Sequence, residues 1–291
     1  MISIVIISKD EESLADTLTD IARQSKDIDK ESEIIVVDAS DGRLDHIRQW
    51  HAAHVRWVQF QRPAGVAVSI PHQRNAGVRA ARGDIIVFTD AGCRPEPSWL
   101  ARLIAPLFTG EQITAGRTLT AEGEHGLYGH PEPVSSEPVY LQECPTINLA
   151  FRRAAYDAVG GFDEGFAYGS DIDFTWRIAD AGFRIRSVPD ALVRHDWGTW
   201  RRQLRRSYAY GKARARLYRK HRARRKHLLR REPMVVVYPL FLLGLPLTVV
   251  FPLYPLLLLI PAWRNRSQGA VVVVVDHLVY GAGVLAELTR R

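Results

Sequence analysis

The first half of the chain alternates short, almost wholly apolar runs with stretches whose apolar residues recur every three to four positions. Ile2 to Ile7, Glu33 to Val37, Val55 to Phe60 and Asp84 to Thr89 read as buried strands, rich in Ile and Val. Between them, Leu14 to Gln24 places Leu14, Leu18, Ile21 and Ala22 on one helical face, and Leu44 to Ala53 and Gln73 to Ala81 follow as further helices. Asp38-Ala39-Ser40-Asp41-Gly42 closes the second strand with turn-forming residues. This strand–helix alternation predicts a parallel sheet with helices on both faces. Residues 118–145 lose the periodicity and are rich in Gly, Pro, Glu and His, which predicts a long loop. Beyond it come a strand over Ile147 to Phe151, a helix over Arg153 to Val159 and the turn Gly160-Gly161-Phe162-Asp163. A helix then opens at Ser170 with Asp171 and Asp173 in its first turn, where the positive end of the helix dipole favours carboxylates. Two short strands, Ile185 to Val188 and Ala191 to Val193, lead to His195.

The last third has a different pattern. Residues 201–231 hold 15 Lys and Arg and no Pro, with Leu204, Tyr208 and Ala215 or Leu217 as an apolar stripe. A helix lying on a membrane surface has this composition. Residues 233–263 contain no charged side chain. As one helix they would run ~46 Å against a hydrocarbon core of ~30 Å. Pro239, Pro246, Pro252, Pro255 and Pro261 disfavour a straight helix. Arg264 and Arg266 follow, so both flanks are positive and a hairpin returning to its own side is expected, with a re-entrant form left open. Ala270 to Leu288 is apolar but holds Asp276, His277 and Glu287, and either crosses a membrane or lies in its interface. The expected domains are therefore 1–199, an interfacial helix over 200–232, and a membrane-embedded part over 233–291.

Charge sharpens this division. The net charge is +7, yet all 32 Asp and Glu lie outside the basic run. A cation cluster beside an uncharged apolar stretch fits anionic lipid headgroups. Tyr208, Tyr210 and Tyr218 could stack on bases, but the apolar neighbour makes lipid the expected partner and nucleic acid not. Cys93 and Cys144 match no metal or redox spacing. Met1 to Ile7 lacks a basic leader and reads as a strand, so the catalytic part is expected in the cytoplasm, at the cell membrane.

Several segments, in order, resemble the family 2 glycosyltransferases: Ser3-Ile-Val-Ile-Ile-Ser8, Glu33-Ile-Ile-Val-Val-Asp38, Arg74-Asn75-Ala76-Gly77, Gly83-Asp-Ile-Ile-Val-Phe-Thr-Asp90, Pro97-Ser-Trp-Leu100, Asn148-Leu-Ala-Phe-Arg152, Gly160-Gly-Phe-Asp163 and Gly169-Ser-Asp-Ile-Asp-Phe-Thr-Trp-Arg177. The resemblance covers the first ~200 residues. It implies an α/β protein of the GT-A fold, a nucleotide-sugar-binding, Rossmann-like mixed sheet between helices, followed by the basic helix and hydrophobic membrane helices.

The resemblance also assigns roles. Asp171 matches the acid of a Glu-Asp pair, Ser170 standing in for the Glu. As general base it would take the proton of the acceptor hydroxyl during one inverting displacement. Ser8, Asp38, Arg74 and Asp90 fall at donor-binding positions; Ala39 replaces the second acid usual after Asp38. Asp90 matches the first acid of an Asp-x-Asp motif that holds a divalent cation, Mg²⁺ or Mn²⁺, on the donor diphosphate. Gly92 replaces the second acid. His195 is the further metal-ligand candidate, the alternative being a structural histidine beside Trp197. Asn148, Asp173 and Trp197 fall on the acceptor side, with a strand-end cap as the alternative for Asn148 and a helical ion pair with Arg177 for Asp173. Trp200-Arg201-Arg202-Gln203 only scrambles the Gln-x-x-Arg-Trp motif of processive synthases, which favours transfer of a single sugar. The implied partners are a nucleotide sugar, a lipid-linked or envelope glycan acceptor and anionic lipids. A polyprenyl-phosphate acceptor and a degenerate, non-catalytic membrane module are the alternatives.

Overall fold

A computed structural model describes residues 1–120, 138–264 and 269–290, which fall into two units, the first reaching Asp196 and the second starting at Trp197. The first unit opens with β1 (Ile2–Ser8), α1 (Leu14–Asp27), β2 (Ser32–Asp38), α2 (Asp45–Trp50), β3 (Val55–Gln59), α3 (Ile70–Ala80) and β4 (Ile85–Asp90). It continues through β5 (Cys93–Pro95), α4 (Trp99–Ile104), β6 (Ile113–Thr120), β7 (Tyr140–Leu141), β8 (Asn148–Arg152), α5 (Arg153–Ala158), α6 (Ser170–Asp180) and β9 (Ile185–His195). The strands form one sheet in the order β3-β2-β1-β4-β8-β6-β9-β5, with β7 beside β9. The part built from β3, β2, β1 and β4 is parallel; β8 then runs antiparallel to both β4 and β6. This is the mixed α/β sheet expected for the GT-A fold.

Successive side chains of a strand face opposite ways, and in β1 and β2 both sets are buried. Val5, Ile7, Ile35 and Val37 join Phe88, Phe151, Phe162 and Phe174 in a core beneath α3, α5 and α6. Ile4, Ile6, Ile34 and Val36 are buried on the other face. Burial on both faces is why these strands read as unbroken apolar runs.

Four local readings are revised. The helix expected from Gln73 starts at Ile70, because Pro71 in the first turn lacks only an N–H that a helix start does not use. The two strands expected before His195 are one, β9. Gly116 faces Val188 but Arg117 faces Leu192, so Pro189 sits in a bulge where its missing N–H costs no ladder bond. The long loop expected over 118–145 is bordered by strand at both ends, in β6 and β7; residues 121–137 lie outside the described residues. Finally, β5, α4 and β6 have no counterpart in the pattern, the first two being too short to establish a period.

The second unit comprises α7 (Trp200–Lys220), a 3-10 segment Arg222–His227, α8 (Leu228–Arg231), α9 (Met234–Leu243), 3-10 segments Leu245–Val249 and Tyr254–Leu258, α10 (Leu259–Arg264) and α11 (Ala270–Leu288). The basic segment is thus not one helix to residue 232. Its buried stripe keeps Ala215 and Leu217 of the expected one but adds Gln203, Ser207, Gly211 and Tyr218, while Leu204 is half-buried and Tyr208 is exposed. Small residues let the neighbouring helix approach, a signal that hydrophobicity alone does not carry. The prolines divide 234–264 into pieces of at most ten residues. Among the described residues, α11 alone is long and apolar enough to cross a membrane.

Candidate active site

In an open α/β sheet the crevice at the carboxyl ends of the strands forms where the strand order reverses. Here that point lies between β1 and β4. The register aligns Ser8 with Asp38 and Ile7 with Asp90, so three of the four donor-site candidates end adjacent strands in a row. With its amide nitrogen turned to the strands, Gln73 of α3 donates to the Ser8 and Val37 carbonyls, both at 3.1 Å, and ties β1 to β2 at this edge. Asp38 is buried and its Oδ1 accepts from the Ser40 N–H at 3.1 Å and the Ser40 hydroxyl at 2.5 Å. Burial pushes its carboxyl above the ordinary range against those hydrogen bonds.

Asp90 is the centre of the group. Its Oδ1 is shut off from solvent and takes no hydrogen bond among the described residues, and Ser8 Oγ is orphaned in the same way. Burial raises the Asp90 pKa; Arg74 and His195 oppose this electrostatically and Asp171 adds to it. These four side chains come from four elements. Arg74 reaches across from α3, donating to Ser170 Oγ at 3.2 Å, while its guanidinium lies over the Phe162 ring at 5.6 Å. Ser170 and Asp171 open α6, so Arg74 of α3 bridges to the helix that carries the candidate base. His195 arrives through β5, whose Cys93 pairs with His195 three residues after Asp90; its Nδ1 contacts the Asp196 carbonyl at 2.7 Å.

The turn after β4 explains the missing second acid. Gly92 has φ +85°, a conformation that side-chain-bearing residues rarely adopt. Its N–H donates to Thr17 Oγ1 at 3.1 Å, and a Cβ there would meet Ser13 Oγ at 3.1 Å. Ser13 in turn donates to Glu11 at 2.5 Å. Among the described residues there is no group of three His, Cys, Asp or Glu placed to hold a metal. The orphaned Asp90 oxygen with His195 nearby fits a cation bound by one or two protein ligands and otherwise by phosphate oxygens, a common arrangement for Mg²⁺.

Two acceptor-side candidates are held in bonds within the fold. Asn148 is buried with its capacity used: Oδ1 accepts from Trp99 Nε1 at 2.8 Å, and Nδ2 donates to the Arg117 and Ala191 carbonyls at 3.0 and 2.8 Å. It locks β6 and β9 across the bulge. Asp173 is fully buried and pairs with Arg177 at 2.8 Å, whose guanidinium also holds the Val159 and Gly161 carbonyls. That pair fixes α6 against the glycine turn. Trp197 lies in the second unit, its ring beneath Arg206 at 5.6 Å.

The sequence reading also missed supporting residues. Asn75 donates to the Phe162 carbonyl and to Glu164, both at 2.9 Å, and accepts from the Phe162 N–H, joining two of the quoted segments. Gln73 and Ser40 sit beside family-like segments, which is the sequence signal they carry, whereas Thr17 lies within α1, away from any of them.

Residues 3–169 match the family model described as Glycosyl transferase family 2, and residues 140–266 match Glycosyl transferase family group 2. The pre-mycofactocin glycosyltransferase of Mycobacterium tuberculosis is 32% identical over 139 residues, 43% of this chain and 30% of that protein. Glycosyltransferase AglE of Haloferax volcanii is 25% identical over 62% of each. The chain therefore spans less than two thirds of the length of these relatives. Among solved structures, the mannosyltransferase PcManGT from Pyrobaculum calidifontis, in complex with GDP-Man and Mn²⁺, matches with TM-score 0.69 and 17% identity over 99% of this chain and 87% of that one. S. aureus TarS matches with TM-score 0.51 and 16% identity over 75% and 43%.

Proposed function

The chain belongs to glycosyl transferase family 2, and from that membership we propose that it moves one sugar, with inversion, from a nucleotide-sugar donor to a hydroxyl of a lipid-linked or envelope glycan at the cytoplasmic membrane face. The observation that carries this reading is the buried Asp90 carboxylate at the switch point of the sheet, its Oδ1 without a hydrogen bond among the described residues and the charges of Arg74, His195 and Asp171 acting on it. The nucleotide lies over Ser8 and Asp38, and the diphosphate faces Asp90. Arg74 offsets negative charge there as the bond between the anomeric carbon and the diphosphate oxygen breaks. Asp171 takes the acceptor proton while the acceptor oxygen attacks from the opposite face, so one displacement releases a nucleoside diphosphate. Asp90 and His195 would hold a divalent cation, which would supply further charge neutralisation of the leaving group. The fold shared with a protein seen with GDP-Man and Mn²⁺ supports both a nucleotide-sugar donor and a divalent cation.

The membrane reading is supported by the second unit. Val249, Val250, Phe251 and Leu253 are exposed by 62–85%, and the basic α7 precedes them.

A panel of nucleotide sugars, read by release of nucleoside diphosphate, tests the activity. Asp171→Asn keeps shape but removes the proton acceptor, so turnover is expected to fall by about two to four orders of magnitude with donor affinity unchanged. Near-normal turnover in that variant sinks the assignment. In the same assay, product formed on free polyprenyl phosphate would establish lipid phosphate as the acceptor.

A further inference from the structure

The second unit holds an arrangement that composition conceals. By length and hydropathy α11 qualifies as a membrane span, yet both its carboxylates are spent on α7, and its His277 meets the Tyr238 hydroxyl of α9 at 2.9 Å. Ser207 donates to Asp276, and roughly three turns further along both helices Arg219 pairs with Glu287 at 2.5 Å. The two helices therefore run side by side in the same direction. They touch through glycine: a Cβ on Gly211 would collide with the Tyr280 carbonyl, and one on Gly283 with the Tyr208 carbonyl. Asp276 and Glu287 are both buried in the unit.

This pairing decides where α11 can lie. Helix α7 carries nine Lys and Arg over Trp200–Lys220. Carried across a bilayer beside α11, those cations would enter hydrocarbon, where each is strongly disfavoured. At the headgroup level the same cations meet lipid phosphates. The Pro-rich segment between the two helices has the opposite character. It is uncharged over 233–263 and exposes Leu240, Leu243, Val249, Val250, Leu253 and Ile260. Its pieces are too short to cross: α9 has 10 residues and α10 has 6, or ~15 Å and ~9 Å against a core of ~30 Å.

We propose that the second unit is monotopic: residues 234–264 enter one leaflet of an anionic bilayer and return, and α11 lies beside α7 at the headgroup level instead of crossing. This rests on the membrane reading above and adds the topology. The chain ends on the side from which it entered.

The test uses the full chain in the membranes of producing cells. Cys93 and Cys144 are buried, so single cysteines can be added at the exposed positions Arg201, Arg264 and Thr289. Each variant is labelled with a membrane-impermeant maleimide in sealed cells and in inside-out vesicles. Arg201→Cys, Arg264→Cys and Thr289→Cys are all expected to label from the cytoplasmic side only. Thr289→Cys labelling from the opposite side to Arg201→Cys overturns the placement of α11. Arg264→Cys doing so overturns the re-entrant segment. Release of the unlabelled chain by carbonate is a separate result: it defeats membrane attachment itself, and this topology with it.

Discussion

Asp90 Oδ1 is a buried acceptor without a partner among the described residues, and leaving such a group unmet costs about 1–3 kcal/mol. A ligand that satisfies it recovers that cost, which is the physical case for a cation at this point. EDTA is accordingly expected to abolish turnover. Asp90→Ala is expected to remove the difference in nucleotide affinity measured by calorimetry with and without Mn²⁺. Full activity in EDTA would mean that the turn fixed by Gly92 serves a cation-free site. Asp38 permits a different experiment. Its Oδ1 accepts two bonds from Ser40, which Asp38→Asn preserves, whereas burial raises its pKa. A carboxyl whose folded pKa exceeds its unfolded value loses stability as pH rises through that window. Melting of Asp38→Asn at about pH 4 and about pH 7 should show a smaller loss at the higher pH than the wild type. Nucleotide affinity should fall in the same variant if the carboxylate binds the donor, and stay constant if it only shapes the turn.

Among the elements, α6 shows how one helix serves structure and chemistry from adjacent positions. Asp171 in its first turn faces the site electrostatically, while Asp173, two residues on, is buried against Arg177. Helical geometry places residues two apart on different faces, so Asp173→Ala leaves the site alone and breaks a buried pair. A loss of about 3 kcal/mol in denaturant unfolding is expected, with donor affinity retained. The same logic separates Asn148 from the acceptor. It opens a strand, and the bulge at Pro189 brings the Ala191 carbonyl onto its amide. Sequence pattern carries the period of each element and not the neighbour that fills each face, which is why an acceptor role and a structural role both stayed open for these two residues.

For the whole molecule, the division at Asp196 predicts the behaviour of a truncation ending at Thr199. It keeps Ser8, Asp38, Arg74, Asp90, Asp171 and His195 and should bind nucleotide while partitioning into the soluble fraction. Sedimentation with membranes as complete as that of the full chain would place the anchor elsewhere. The sequence by itself determined the strand–helix alternation, the family, the strand-end acids and the basic and apolar character of the tail, because each is written in local period, composition or residue order. Only the tertiary structure decided that the β5–β9 pairing sets His195 opposite Cys93, three residues after Asp90, that Arg74 bridges to Ser170, that Asn148 and Asp173 are bonded within the fold, and that α11 spends its carboxylates on α7. Those relations join residues far apart in the chain, and they depend on register and on which faces meet, quantities that no local pattern encodes.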